Sequence, residues 1–218
     1  MPTLEFHCHT IYSKDSLTQP EALVQAARKK GIDRLVVTDH NSISGALAAK
    51  KLDPELVIVG EEILTTQGEL LAAFVTEEIP ARLSPLETIH RLREQGAFIS
   101  VSHPFDGHRG WQLEALLEIA PLVDAVEVFN ARCIFARDNQ LAASFAQEHN
   151  LLGTVGSDAH TTRELARAVA IVETFHNAET LKSALRNAQY RTRLSSPLIH
   201  ASSRFAVTVK KLGLVKRP

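Results

Sequence analysis

Short apolar runs rich in β-formers alternate along the chain with longer amphipathic stretches, and this alternation confines the fold to strands and helices taken in turn. The runs that qualify as strands span residues 3–6, 34–38, 56–60, 70–76, 97–102, 125–129, 152–155 and 168–172. Repeated strand–helix units of this size favour a mostly parallel sheet. About seven of them can close into a barrel, with an open doubly wound sheet as the competing architecture. Two of the intervening helices have marked ends. Thr18 is placed to cap a helix with Pro20 in its first turn, Glu21 at its third position and Gly31 as its stop, and Ser84, Pro85, Glu87 and Gly96 repeat the scheme. The run at 70–76 follows 56–60 without a helix-length gap, so these two are expected to form a hairpin, and a perfect eightfold barrel is not expected.

A length of 218 residues and a hydrophobic content of 44% suit one sizeable core, and no Pro/Gly/Ser-rich linker divides the chain. No stretch approaches the roughly 18 consecutive apolar residues of a membrane span, and the N-terminus soon becomes polar and histidine-bearing. A soluble, cytoplasmic protein without a transmembrane segment is therefore expected. Cys8 and Cys133 are too few for a disulfide framework or a four-thiolate zinc site. The net charge of −1 hides an asymmetry. Nine of the 24 cations follow Glu179 and no acid does, which leaves 15 cations against 25 acids in the preceding body. Bound divalent cations would compensate part of that excess, and a solvated acidic surface would account for it equally well.

The residues able to do chemistry gather where predicted strands end, as expected for active sites in both candidate architectures. Strand periodicity puts His7 and His9 on one face and Cys8 on the other. Asp39 and His40 follow the second strand, Glu61 and Glu62 the third, His103 the fifth, and Asp158 and His160 the seventh. Five of the ten histidines thus lie at strand ends, whereas His90, His108, His149, His176 and His200 do not fit that pattern. A mixture of His, Asp and Glu without thiolates favours hydrolytic metals that keep water bound, such as zinc, manganese or iron. A two-metal site needs a bridging carboxylate, for which Glu62 and Asp158 are the candidates.

These residues sit in the segments HCHTIYSKDSLTQPEAL, TDHNSISG, GEEI, SHPFD and GSDAH, whose order and spacing resemble the polymerase-and-histidinol-phosphatase (PHP) family from residue 5 to about 172. The resemblance implies an α/β fold, a distorted (βα)7 TIM-like barrel with its metal site at the C-terminal ends of the strands. It also implies a metal-dependent phosphoric ester hydrolase, in which two or three divalent metal ions promote attack by a metal-bound hydroxide. It makes His7 and His9 ligands of one metal, with Glu62 and Asp158 bridging toward its neighbours. Asp15, His40 and His160 become ligands of a second, and His103 joins Glu62 at a third. Glu61 is left solvated or supporting, and Asp39 is better suited to orienting an imidazole than to ligation. Two departures weaken the third site. Asn130 stands where many relatives offer a histidine, and Glu69 follows Gly68 where some have Gly-His; both are auxiliary ligand candidates.

Glu62, Asp158 and Arg132 are the expected catalytic residues, the last pairing with a substrate phosphate through its planar guanidinium unless it is a surface arginine or bound to an acid such as Asp106. Lys14, His108 and Arg109 are weaker candidates near the same rim. The expected substrate is a small phosphomonoester or nucleotide. Alternatives are a 3'-5' exonuclease or phosphodiesterase acting on nucleic acid, and a metal-stabilised nonenzymatic scaffold. Residues 1–197 form the expected catalytic domain and 198–218 a basic tail. The tail's periodicity is ambiguous: Phe205, Val207 and Val209 alternate as in a strand, and Val209, Leu212 and Val215 recur at helical spacing. Its apolar side is expected to pack on the barrel with its cations in water, so that truncation after Pro197 would spare metal loading.

Overall fold

A computed structural model describes residues 1–215, so the tail residues Lys216 and Arg217 lie outside the described residues. The strands are β1 (Thr3–Glu5), β2 (Arg34–Val37), β3 (Val57–Leu64), β4 (Glu69–Ala73), β5 (Phe98–Val101), β6 (Ala125–Asn130), β7 (Leu152–Gly156), β8 (Ala168–Ile171) and β9 (Gln189–Thr192). The α-helices are α1 (Pro20–Lys29), α2 (Ser44–Leu52), α3 (Pro85–Glu94), α4 (Leu113–Ile119), α5 (Ala136–Glu148), α6 (Ala178–Leu185) and α7 (Ile199–Lys211). They build one sheet in the order β7-β6-β5-β4-β3-β2-β1-β8-β9. Beyond the end of β1, His9 N donates to Ala159 O at 2.8 Å, and Cys8 and Ala159 form a parallel bridge that brings β1 and β7 together. The result is a nearly closed α/β barrel-like sheet, with β8 paired to the start of β1 and β9 paired to β8. The ring is distorted as expected, because β3 and β4 form a hairpin and β4 runs antiparallel to both neighbours.

Alternation along the strands divides the apolar residues into two cores. Leu35, Val37, Val57, Val59, Leu70 and Ala72 face outward and meet the buried stripes of the helices, including Leu23 and Ala27 of α1 and Ala46 and Ala49 of α2. Val36, Ile58, Leu71, Ala73 and Phe98 face inward and are joined by Phe175 and by Ala178, Leu181 and Leu185 of α6. Helix α6 therefore fills the end of the barrel where the parallel strands begin, leaving the opposite end for polar residues.

Ser84 caps α3 as expected, accepting from Glu87 N, and Gly31 and Gly96 follow α1 and α3 with φ of +70° and +67°. Thr18 behaves differently from expectation. The residue before α1 is Gln19, which makes no side-chain cap, while the Thr18 hydroxyl donates to His160 O at 3.0 Å across the barrel closure. The tail resolves as helix, with Ala206 and Val209 buried and Phe205 exposed, so the helical period prevails over the alternating one. Among the described residues no helix is long and apolar enough to cross a membrane.

Candidate metal centre

The eight candidate ligands read from the sequence, His7, His9, Asp15, His40, Glu62, His103, Asp158 and His160, come together at the C-terminal mouth of the barrel. His7 Nε2 and His9 Nε2 lie 3.1 Å apart, whereas Cys8 points into the outer core, as the period of two requires. On β3, Glu62 turns into the barrel, and its neighbour Glu61 turns outward to accept from Ile79 N at 3.0 Å. Glu62 Oε2 sits 3.3 Å from His7 Nε2, 3.4 Å from His9 Nε2 and 3.0 Å from His40 Nδ1, and Glu62 Oε1 sits 3.2 Å from His103 Nε2. Asp158 Oδ1 lies 3.2 Å from His9 Nε2 and 3.6 Å from His7 Nε2. Asp15 reaches His160 Nε2 at 3.2 Å and His40 Nε2 at 3.5 Å.

Their supports lie directly behind them. Glu127, on β6, is fully enclosed, accepts from His7 Nδ1 at 2.9 Å and from His103 N at 2.9 Å, and went unrecognised in the sequence. Ser13 Oγ donates to Asp39 at 2.6 Å and lies 3.0 Å from His9 Nδ1, so Asp39 orients an imidazole through a hydroxyl. Two glycines make these approaches possible. A Cβ on Gly156 would stand 2.4 Å from both His7 Cβ and Glu127 Oε1, and one on Gly45 would stand 2.0 Å from Asp39 Oδ2. His103 and Asp158 hold left-handed backbone, with φ of +25° and +50°, a conformation that costs on the order of 1–3 kcal/mol per residue and often accompanies function.

The auxiliary candidates fare unequally. Glu69 is half-buried, 3.3 Å from His103 Nε2 and 3.7 Å from His40 Nδ1, and so belongs to the cluster. Asn130 does not offer its carbonyl oxygen as expected. That oxygen accepts from Arg132 N at 2.8 Å, and the amide nitrogen donates to Glu127 at 3.0 Å and to Asp158 at 3.3 Å. Arg132 is buried, with its guanidinium donating to Ser203 Oγ at 2.9 Å. Asp106 pairs instead with Arg109, whose other nitrogen reaches Asp158 Oδ2 at 2.7 Å, so Arg109 deserves a larger place than its sequence context suggested.

Electrostatics couple these groups. Burial alone would raise Glu62 and Asp158, yet His7 with His40 holds Glu62, and His7 with Arg109 holds Asp158, well below the usual carboxylate range. Burial opposes charge on the imidazoles too, but the facing carboxylates push His7 and His40 well above the ordinary histidine value and His103 to about 9. His9 goes the other way, lowered to about 3 by burial and then by the charges of His160 and His40. Glu62 Oε2, Asp158 Oδ1 and Asp15 Oδ1 are buried without a hydrogen-bond partner. Three unpartnered carboxylate oxygens facing imidazole nitrogens are a donor set that fits divalent cations. Ligand atoms of His7, His9 and Glu62, of His9, His40 and His160, and of His40, Glu62 and Glu69 lie within 4.8 Å of one another in each group.

Above the cluster opens a cavity of about 810 Å³, lined by Asp15, His40 and His160 below and by Arg109, Arg132 and α7 at the sides. The tail, expected to pack its apolar side on the barrel, does bury Ala206 and Val209 and also forms a wall of the cavity, through His200, Ser203, Arg204, Val207 and Thr208.

Comparison with known proteins agrees with this geometry. The PHP domain model matches residues 5–78 and the PHP-associated model matches residues 136–190. A protein of Methanocaldococcus jannaschii is 38% identical over 146 residues, covering 58% of this chain and 81% of its own. A second from that organism is 38% identical over 170 residues, covering 76% and 68%. The chain belongs to the PHP family. Membership places it among the metal-dependent phosphoester hydrolases. The PHP barrel also superposes on PsfC from Pseudomonas syringae, with TM-score 0.69, 19% identity, and 95% and 98% of the two chains covered. PfuEndoQ of Pyrococcus furiosus, a lesion-specific endonuclease, follows with TM-score 0.62 and 15% identity, over 87% of this chain and 57% of its own. At these identities the likeness concerns the fold.

Proposed function

We propose that the barrel mouth hydrolyses a small phosphomonoester or nucleotide, with His7, His9, Asp15, His40, Glu62, His103, Asp158 and His160 holding two or three divalent cations. The observation that carries this reading is Glu62 Oε2, surrounded by three imidazole nitrogens at 3.0–3.4 Å and without a hydrogen bond of its own. A carboxylate oxygen so placed is suited to link neighbouring cations. When bound, such cations supply Lewis acidity toward water and toward phosphoryl oxygens.

The chain's own groups do the rest. Glu127 takes up His7 Nδ1 at 2.9 Å and leaves Nε2 to face the cluster. Glu62 and Asp158 tie the imidazoles of several strands together, and we assign both a catalytic role as carboxylates that would hold the cations. Arg132 and Arg109 add fixed positive charge to the cavity wall, where a phosphate would need it, Arg132 as the residue that meets the substrate. A cavity of about 810 Å³ is large enough for a compact phosphorylated substrate.

A screen of phosphomonoesters, cyclic phosphodiesters and short oligonucleotides with added Mn²⁺, Zn²⁺ or Fe²⁺ tests the reading. Phosphate release from a small monoester, abolished by a chelator, is the expected result. Cleavage of oligonucleotides alone would shift the assignment to a nuclease, a reading favoured by the arginines at the cavity wall. Absence of turnover with every metal, in protein that still retains metal, would support the nonenzymatic scaffold.

A further inference from the structure

The loop of residues 11–16 between β1 and α1 carries much of the metal centre. Its Asp15 carboxylate faces His40 and His160, and its Ser13 hydroxyl joins Asp39 to His9 and accepts from His40 N at 3.0 Å. Ser16 Oγ donates to His160 O at 2.9 Å. A shift of this loop would therefore misplace one ligand directly and disturb the supports of three others.

The carbonyl oxygens of Ile11, Ser13 and Ser16 converge on one atom, Lys210 Nζ, at 2.6, 2.5 and 2.6 Å. An ammonium has three donors, and here each finds one carbonyl. Lys210 stands in the last turn of α7, which is anchored by buried Ala206 and Val209 and tied to the cavity wall by the bond between Arg132 and Ser203. Charge-assisted bonds of this kind are about twice as strong as neutral ones, and these three join one loop to α7 in addition to the loop's own bonds from Ile11 N to Thr18 O and Ser13 N to Thr10 O.

We propose that Lys210 is a positioning residue of the metal centre, holding Asp15 and Ser13 in register with His40, His160 and His9 from the C-terminal helix. The inference rests on the metal-binding reading above. It makes α7 a working part of the site, since the same helix walls the cavity and grips the loop beneath it.

The test compares full-length wild type with Lys210→Met, Lys210→Arg and Lys211→Met, each loaded with Mn²⁺ or Zn²⁺ and challenged with a chromogenic chelator. Methionine keeps the stem without the donors, and the planar guanidinium of arginine cannot aim three bonds at one convergent site. Lys211 is an exposed neighbour and serves as control. Lys210→Met is expected to release one metal equivalent about tenfold faster than wild type. The remaining metal should be held as in wild type, and the melting temperature of the metal-free protein should fall, because three carbonyls lose their donor. Lys210→Arg should move in the same direction and carries the comparison if the methionine variant does not fold. Release identical to wild type in a folded Lys210 variant would overturn the inference. So would equally faster loss of every metal equivalent, which marks general loosening rather than release from the Asp15 side of the site. A wild type that takes up no metal would instead overturn the function proposed above, and this inference with it.

Discussion

Glu127→Gln separates the imidazoles from the acid that aims them. In the native protein Glu127 Oε1 accepts from His7 Nδ1 at 2.9 Å, and Oε2 accepts from His103 N at 2.9 Å and Asn130 Nδ2 at 3.0 Å. Glutamine has the same shape but replaces one acceptor by an NH₂ group. If that group faces His7, the Nδ1 atom must accept, the ring proton moves to Nε2, and the lone pair aimed at the cluster is lost. If it faces the other way, the buried His103 N–H loses its acceptor, a cost of about 1–3 kcal/mol. Loss of such a support typically weakens metal binding about 10–100-fold, or roughly 1.4–2.7 kcal/mol. Chelator competition at fixed pH reads this directly, with chemical denaturation of the metal-free protein run beside it. A folded variant whose metal affinity stays within about twofold of wild type would refute the orienting role.

The other predictions use the same site. In metal-free protein His103 is raised from 6.5 to about 9, so its contribution to stability is complete below pH 6.5 and fades as pH rises through 9. Burial also raises Glu5 from 4.5 to about 7 and Glu61 from 4.5 to about 8, so each lowers stability as pH rises from 4.5 to those values, adding to the early part of the His103 fall. Denaturation of chelator-treated protein should show stability falling from pH 6.5 to 9, and a rise would contradict these shifts. Gly156→Ala forces a methyl against His7 and Glu127, and elemental analysis should find the variant depleted of metal, whereas full occupancy would mean the strand moves aside. Arg132→Lys should lower phosphoester turnover more than metal content; kinetics equal to wild type would remove Arg132 from the substrate's path.

Most of the barrel was legible because its strands and helices follow local periodicity. The 3.6 and 2.0 repeats locate the elements, Ser84 caps α3 through a partner three residues away, and Gly31 and Gly96 supply the left-handed turns that end two helices. Failures occur where a distant partner outbids a local one. Thr18 has the chemistry of a cap, yet its hydroxyl bonds His160 O, 142 positions along the chain. The fourth strand ends at Ala73 rather than near residue 76, since Phe74 turns left-handed with φ of +64°.

The site divides along the same line. Its inward-facing histidines and acids stand at strand ends, where period and composition coincide, and they could be recognised one by one. The groups that aim them could not. Glu127 lies 120 positions from His7 and looks from the sequence like one acid in the apolar strand AVEVFN, although a lone carboxylate in such a strand was itself a signal that it must find buried donors. Lys210 is further still, up to 199 positions from the carbonyls it holds. Read locally it belongs to a basic tail in water; in the fold, three convergent carbonyls give its ammonium a better partner than solvent. The candidate ligands are thus written in short segments, and their orientation in contacts that exist only once β6 and α7 have closed around the barrel mouth.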